Sequence, residues 1–188
     1  ELLDQLPRLD VVYVSIGGGG LISGIGSVIK AFSPQTRVVG VSAKNSAELA
    51  ASIRAGKMVK VDHHETLADG CAGGVDGDTM TLGLGTEVID DLIDCSEEQI
   101  EVGLQKIAWS EKMLVEGSAG LAYAAWEEDA RNNNSKISVV VLCGANFDNM
   151  RFFNGKRSRN TKTTRKMQFK YEGRSKYEEQ IWGQMQMG

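Results

Sequence analysis

Four consecutive glycines, at positions 17 to 20, are the feature that most restricts how this chain can fold. They follow a β-branched apolar run over residues 10–16 (DVVYVSI), which predicts a buried strand that ends in a loop. Apolar residues then recur at helical spacing over 21–32, and residues 37–42 (RVVGVS) have the pattern of a second buried strand. Strand, glycine loop, helix and strand in this order predict one right-handed βαβ unit with parallel strands.

The rest of the chain continues the alternation of helix and strand. The sequence predicts a helix over 47–55, an extended piece over 58–61, a glycine-rich loop over 66–85, a helix over 86–92, an extended piece over 93–95, a helix from 97 to about 111, a helix over 118–131 and a strand over 137–142. Ser96 and Gln99 form a capping box at the start of the helix that follows them. We therefore expect an α/β fold in which an open, mostly parallel sheet is flanked by helices.

Composition excludes several classes of protein. The chain has 188 residues with 22 Gly and 2 Pro, but it has no G-X-Y period, so collagen and low-complexity disorder are excluded. It has neither an apolar run of the ~20 residues that a membrane helix needs nor a signal peptide, which predicts a cytoplasmic protein without membrane contact. Its three cysteines lack paired or metal-binding spacing, which favours a reducing compartment and predicts no metal site; they are Cys71, Cys95 and Cys143.

Charge divides the chain into two parts. Residues 1–150 carry 11 Lys+Arg against 22 Asp+Glu, whereas residues 151–188 carry 10 against 3. The stretch over 156–166 (KRSRNTKTTRK) has no apolar residue and cannot contribute to a core, so we predict a disordered basic tail after residue 150. Aromatic residues lie among these basic residues and would permit contact with nucleic acid or an acidic membrane, but a solvated tail is favoured.

The glycine run itself is suited to binding an anion. It exposes several main-chain N–H groups at the positive end of a helix, with no Cβ to hold a ligand away, and phosphate is the anion that fits best. A dinucleotide-binding G-x-G-x-x-G is absent, because Ile22, Ser23 or Ile29 occupies the last glycine position in each possible register. No Gly-Lys-Ser/Thr of a P-loop follows either. The alternative is a glycine loop that only makes a tight turn.

Four segments, taken together, resemble the threonine dehydratase and serine racemase family of fold type II (tryptophan synthase β-like) pyridoxal-phosphate (PLP) enzymes. The first is SIGGGGL at 15–21, which is similar to the family's phosphate-binding loop. The others are TLADG at 66–70, VEGSAG at 115–120 and VLCGAN at 141–146, in the family's order and near its spacing. Each match alone is weak, but four in the same order over residues 10–150 are specific.

The resemblance implies a set of cofactor contacts. Main-chain N–H groups of the glycine loop would bind the phosphate, Gly70 would contact the cofactor near its 3-hydroxyl, Glu116 would lie near the ring, and Cys143 would face the pyridine nitrogen. The loop residues are Gly17, Gly18, Gly19, Gly20 and Leu21. Simpler interpretations remain open: Cys143 as a buried structural residue, and Glu116 as an acid that stabilises a helix N-terminus. Some relatives bind a divalent cation through a Glu where this chain has Ser42, so no metal is expected.

The resemblance also implies what this chain lacks. The family's Schiff-base lysine lies in a Ser-x-Lys-x-Arg motif upstream of the glycine loop, and no such motif occurs here, so no catalytic residue is assigned. We expect residues 1–150 to be the later part of a large PLP-binding domain whose amino-terminal part is missing, and the chain alone to be inactive. The complete enzyme would be a homo-oligomer that dehydrates and deaminates L-threonine or L-serine. Alternatives are a serine racemase, a hydroxyaspartate dehydratase, or a non-catalytic fragment that binds PLP or a partner.

Overall fold

The computed structural model describes residues 1–130 and 137–144, so the predicted basic tail over 151–188 lies outside the described residues. Short loops connect most of the helices and strands. In chain order these are α1 (Leu2–Gln5), β1 (Val11–Ser15), α2 (Gly20–Phe32), β2 (Arg37–Ala43), α3 (Glu48–Ala55), a 3₁₀ turn (Asp69–Cys71), α4 (Met80–Val88), β3 (Asp91–Cys95), α5 (Glu97–Ser110), α6 (Gly117–Ala130) and β4 (Ser138–Val140). This alternation confirms the predicted α/β class.

The four strands form one sheet in the order β3-β2-β1-β4, and every neighbouring pair is parallel. Strand β1 is central and all five of its residues are buried. Val11 and Tyr13 pack on the face covered by α5 and α6, whereas Val12 and Val14 pack with α2 on the opposite face. Because helices cover both faces, the strand is a continuous apolar run in the sequence rather than an alternating one.

The capping box at the start of α5 is formed as predicted. The Ser96 N–H donates to Gln99 Oε1 at 2.8 Å, and the Gln99 N–H donates to Ser96 Oγ at 3.4 Å. These two bonds satisfy N–H groups that the first turn of a helix leaves unpaired. The acidic first turn of α5, with Glu97 and Glu98, adds a favourable interaction with the helix dipole.

The prediction for the region around α4 was wrong. The sequence indicated a loop over 66–85 and a helix over 86–92, but the helix runs from Met80 to Val88 and β3 already begins at Asp91. Glycines in this region led to the error, because they weaken an isolated helix. In the folded chain Gly85 allows close packing instead, since a Cβ there would lie 2.9 Å from Ile53 Cδ1 of α3. The predicted extended piece over 58–61 forms no strand.

Within residues 1–130 and 137–144, no helix has both the length and the apolar character that a membrane crossing needs.

Candidate functional site

An open cleft of about 190 Å³ lies at the carboxyl edge of the sheet, where β1 and β4 end. From β1 the chain passes through α2 to β2 on one side, whereas β4 lies on the other side of β1. Such a reversal leaves a gap above the strand ends, and ligands of open α/β sheets bind there. The lining residues are Ser15, Gly17, Gly18, Gly19, Gly20, Leu21, Gly70, Cys71, Glu116, Ser118 and Cys143.

The glycine loop forms one side of the cleft and leads into α2. Gly19 is the N-cap of this helix and has a φ of 85°, a left-handed conformation that favours glycine. Among the described residues, no oxygen accepts a hydrogen bond from the main-chain N–H groups at positions 17 to 21. A Cβ added at Gly18 or Gly20 would have no atom within 4 Å, so the loop is open on its cleft side. Unpaired N–H groups at a helix N-terminus are the groups by which such loops bind anions in other proteins.

The back of the glycine loop is held by α3 and α4. Thr81 Oγ1 of α4 donates to the Gly18 carbonyl at 2.7 Å. A Cβ at Gly19 would lie 2.9 Å from Thr81 Cβ and would collide with the Leu49 side chain of α3. The loop is therefore fixed from behind, which leaves its N–H groups for a ligand.

A second wall of the cleft comes from the 3₁₀ turn. The Cys71 N–H donates to the Ala68 carbonyl at 2.9 Å and closes this turn. A Cβ at Gly70 would lie 3.0 Å from Ser118 Oγ and 3.1 Å from Glu116 Oε1, so any larger residue would have to displace these side chains slightly. Burial raises the pKa of the Cys71 thiol to about 11, which keeps the thiol protonated at neutral pH.

Glu116 and Ser118 flank the N-terminus of α6. The Glu116 carbonyl accepts hydrogen bonds from the Ala119 N–H at 3.0 Å and the Gly120 N–H at 3.3 Å, so this residue immediately precedes the helix and accepts its first main-chain bonds. Its carboxylate lies against Gly144, where φ is 78° and any Cβ would overlap it. Ser118 Oγ is buried next to the Cys71 thiol, a weak hydrogen-bonding group, and no nitrogen or oxygen atom among the described residues bonds to it. A buried hydroxyl with so weak a partner is uncommon, and here it lies in the wall of the cleft.

Cys143 lies three residues beyond the end of β4. Its N–H donates to the Val141 carbonyl at 3.0 Å, and its side chain is half-buried. Burial raises the pKa of the Cys143 thiol above its ordinary value, so this group is also neutral at pH 7. The adjacent Ser15 hydroxyl at the end of β1 donates to the Ser118 carbonyl at 2.5 Å and ties β1 to α6.

Within residues 1–130 and 137–144, the structure contains no group of three or more His, Cys, Asp or Glu that could hold a metal ion. Ser42 is buried within β2, and its hydroxyl has no hydrogen-bond partner among the described residues. His63 contacts Glu48 and Ser46, whereas the main-chain N–H of His64 donates to Asn45. The two adjacent histidines therefore make separate contacts.

The structure brings all eight sequence-predicted contact residues to this one cleft, although their role toward a cofactor stays a prediction. They are Gly17, Gly18, Gly19, Gly20, Leu21, Gly70, Glu116 and Cys143. Sequence reasoning did not assign Ser15, Cys71 and Ser118 to the site. Each lies next to or within a matched motif, and this proximity was the one signal that could have identified them.

The residues present fit a phosphate-bearing aromatic cofactor. The open glycine loop suits the phosphate. The Glu116 carboxylate, the buried Ser118 hydroxyl and the neutral Cys143 thiol offer polar contacts to a ring. A parallel sheet flanked by helices, with a cleft at its carboxyl edge, defines the class of the protein: an open α/β domain of the kind that binds ligands at the strand ends.

This chain belongs to the family of pyridoxal-phosphate dependent enzymes, whose family model matches residues 1–144. It is 34% identical over 148 residues to an L-threonine ammonia-lyase of Thermotoga maritima, a match that covers 79% of this chain and 36% of that protein. It is 36% identical over 151 residues to a catabolic L-threonine dehydratase of Escherichia coli, covering 79% of this chain and 45% of the relative. The chain thus spans less than half the length of these curated relatives.

Solved structures give the same result. A serine racemase from Dictyostelium discoideum superposes with a TM-score of 0.70 at 26% identity, over 78% of this chain and 47% of that one. The processed form of threonine deaminase isoform 2 from Solanum lycopersicum gives a TM-score of 0.74 at 25% identity, over 81% and 45%. The predicted family, the fold type II architecture and pyridoxal phosphate as the family's cofactor are therefore confirmed.

Proposed function

We propose that this chain holds the phosphate and ring of PLP in the cleft between β1 and β4, and that the complete protein is an ammonia-lyase. Its substrate would be L-threonine or L-serine, and its products a 2-oxo acid and ammonia. The main observation behind the proposal is that an open glycine loop, the Glu116 carboxylate and the neutral Cys143 thiol line one cleft. Membership of the PLP family and the likeness to threonine dehydratases support it. The expected cytoplasmic location and homo-oligomeric state of the complete protein stay predictions.

Each residue would contribute through its own chemistry. The N–H groups of the glycine loop and the positive end of α2 would hold the phosphate. When bound, PLP supplies an electron-accepting ring that stabilises the charge left when an amino-acid α-proton is removed. Cys143 would bind the ring nitrogen as a neutral partner, which keeps the ring a weaker electron acceptor than a carboxylate partner would. Such a site suits reactions in which a β-hydroxyl leaves promptly.

The carboxylate of Glu116 and the hydroxyl of Ser118 would contact the ring or its substituents. Gly70 keeps this side of the cleft narrow, because its missing side chain lets the 3₁₀ turn lie against both groups. The covalent attachment of the cofactor and the proton transfer at the α-carbon need a lysine that no motif of this chain supplies. We therefore expect binding without turnover from these 188 residues alone.

Binding can be tested directly with the purified chain. We expect PLP to quench tryptophan fluorescence saturably, and pyridoxal, which lacks the phosphate, to bind at least tenfold more weakly, since ~1.4 kcal/mol of phosphate contact would produce this ratio. Inorganic phosphate should compete with PLP. Equal affinity for PLP and pyridoxal would contradict the assignment of the glycine loop to phosphate.

Turnover can be tested only on the complete protein. Formation of 2-oxo acid and ammonia from L-threonine or L-serine would support the ammonia-lyase. The main alternative is a serine racemase, which the structural likeness to the Dictyostelium discoideum protein favours. Formation of D-serine without 2-oxo acid would replace the first assignment with the second.

Substitution of Cys143 tests the contact with the ring nitrogen. Cys143→Ala removes one neutral hydrogen-bonding group, so we expect the Kd for PLP to rise about three- to tenfold. Cys143→Ser replaces the thiol with a hydroxyl, another neutral hydrogen-bonding group, in the same place, so it should bind PLP within about twofold of the wild type, well under the ~1 kcal/mol of a typical hydrogen bond. Fluorescence titration measures both values. Cys95→Ala, which replaces a fully buried thiol outside the cleft, serves as the control.

A further inference from the structure

Glu48, the first residue of α3, is a charged side chain buried outside the cleft, with only 2% of its surface exposed. Its carboxylate accepts hydrogen bonds from Lys60 Nζ at 3.0 Å, His63 Nε2 at 3.0 Å and the Val75 N–H at 2.9 Å. All three donors belong to the segment between α3 and α4. A buried carboxylate is costly unless such donors surround it, so this segment must stay in place for α3 to pack.

Ser46 extends the same group of contacts toward the cleft. Its hydroxyl oxygen accepts a hydrogen bond from the Gly73 N–H at 3.0 Å and lies 2.8 Å from His63 Nδ1. Because a carboxylate oxygen can only accept, His63 Nε2 is the donor to Glu48, and the other ring nitrogen, Nδ1, is hydrogen-bonded to the Ser46 hydroxyl. Both ring nitrogens of His63 therefore have a partner in this network.

The network is connected to the cleft through the chain itself. Gly73 and Val75 follow directly after Gly70 and Cys71, the two residues of the 3₁₀ turn that line the cleft. Lys60 Nζ also donates to the Val75 carbonyl at 3.3 Å, so Val75 is held through both its N–H and its C=O. The cleft wall is therefore anchored immediately downstream by contacts to Glu48 and Ser46.

Upstream of the wall, contacts to other elements hold the chain as well. Asn45 Nδ2 donates to the Glu65 carbonyl at 2.7 Å, and the Leu67 N–H donates to Glu97 Oε2 at 2.7 Å. Hydrogen bonds to other elements therefore hold the chain on both sides of the 3₁₀ turn. Among these contacts, Glu48 is the buried charge that accepts hydrogen bonds from the largest number of donors.

We propose that Glu48 is a positioning residue for the cleft: through Lys60, His63 and the main chain of Val75 it fixes the wall formed by Gly70 and Cys71. The expected effect of Glu48 on PLP binding rests on the proposed function. The position of the cleft wall, in contrast, can be measured without a ligand. The hydrogen-bond partners of Glu48 among the described residues lie outside the lining of the cleft, so it acts through the segment that follows α3.

The titration of Glu48 gives a prediction about stability. The Val75 N–H bond, followed by the Lys60 bond, lowers the pKa of Glu48 to about 2 in the folded chain, and Lys60 and His63 are the titratable groups that face it. Because the pKa is lower in the folded than in the unfolded chain, the charged carboxylate stabilises the fold. This contribution is complete above about pH 5 and is lost as the pH falls toward about 2. Melting temperatures should fall across this window more steeply for the wild type than for Glu48→Gln.

Cysteine labelling tests the proposal in the full chain without cofactor. Iodoacetamide, followed by mass spectrometry, reports Cys71 in the cleft wall and Cys95 in the core separately. Glu48→Gln removes the charge at nearly constant volume, and we expect the labelling rate of Cys71 to rise about tenfold while that of Cys95 stays unchanged. A tenfold change is the size expected when hydrogen bonds to one charged group are weakened. The Kd for PLP should rise by a similar factor.

Two further variants complete the design. Lys60→Met removes one donor whose side chain is 76% exposed, so it should fold normally and raise Cys71 labelling about threefold, in line with ~0.7 kcal/mol for a partly solvated contact. Asp129→Asn removes a carboxylate that binds Tyr13 and Arg37 at the opposite end of the strands, and it should leave Cys71 labelling unchanged.

The outcomes separate the two proposals. Equal acceleration of Cys71 and Cys95 in Glu48→Gln would mean that Glu48 supports only global stability, and no acceleration at all would mean that the wall is held by other contacts; either result overturns the positioning role. If the wild-type chain binds no PLP but Cys71 alone is accelerated, the proposed function fails while the positioning of the wall stands.

Discussion

Gly18→Asp is expected to abolish PLP binding without unfolding the chain. The new side chain has open space around it, since a Cβ at Gly18 has no atom within 4 Å, and an acid near the N-terminus of α2 is favourable for the helix. Its carboxylate would occupy the place proposed for the phosphate. Two like charges about 4 Å apart repel by ~4 kcal/mol at an effective dielectric constant of ~20, which corresponds to about a thousandfold loss of affinity.

Fluorescence titration with PLP measures this loss, and a melting curve shows whether the fold is retained. Gly24→Asp is the matched control, because Gly24 is exposed on α2, has no atom within 4 Å of an added Cβ and lies outside the cleft. This control should bind PLP within a few-fold of the wild type, as screened surface charges change binding by less than ~1 kcal/mol. If both variants bind as the wild type does, the phosphate lies elsewhere.

The second large effect is expected from Gly117→Ala, at the start of α6. A Cβ at this position would overlap the Leu67 carbonyl and lie 2.8 Å from the Ala68 N–H. These atoms belong to main chain that leads into the cleft wall, so they cannot move away as a flexible side chain could. We expect the free energy of unfolding to fall by about 3 kcal/mol, the upper end of the usual range for overpacking.

Urea unfolding provides the measurement, and Gly83→Ala is the control for the same chemical change. Gly83 lies within α4 and has no atom within 4 Å of an added Cβ, so alanine should stabilise the helix by ~0.5–1 kcal/mol. Opposite signs for the two variants are the expected result. A Gly117→Ala chain as stable as the wild type would mean that α6 does not approach residues 67 and 68 as closely as described.

The sequence predicted correctly those elements that are determined by residues close together in the chain. Strand β1 and helix α2 were predicted within a residue or so at each end, because a β-branched run, a glycine loop and helical spacing follow one another in the chain. The capping box of α5 depends on two residues three positions apart and was likewise predicted correctly. The matched motifs also identified the family, which the comparisons confirm.

The sequence did not predict features that depend on contacts between residues far apart in the chain. The glycines of α4 suggested a loop, because the close packing of Gly85 against α3 depends on a partner about thirty residues away in the chain. Ser118 could not be assigned to the site, because its place in the cleft becomes apparent only when α6 lies beside the 3₁₀ turn. The same holds for Glu48, which in the sequence is an ordinary acid in a first helical turn and in the fold is a buried charge with three donors.

By itself the sequence determined the α/β class and membership of a PLP enzyme family, since each follows from short local patterns and their order along the chain. Only the tertiary structure decided that Gly70, Glu116 and Cys143 meet the glycine loop in one cleft. The physical reason is the sheet: parallel strands place their carboxyl ends at one edge, and the strand order puts β4 beside β1. Packing across the sheet and the pairing of buried polar groups bring together residues that are distant in the chain. Both therefore become apparent only in the folded structure.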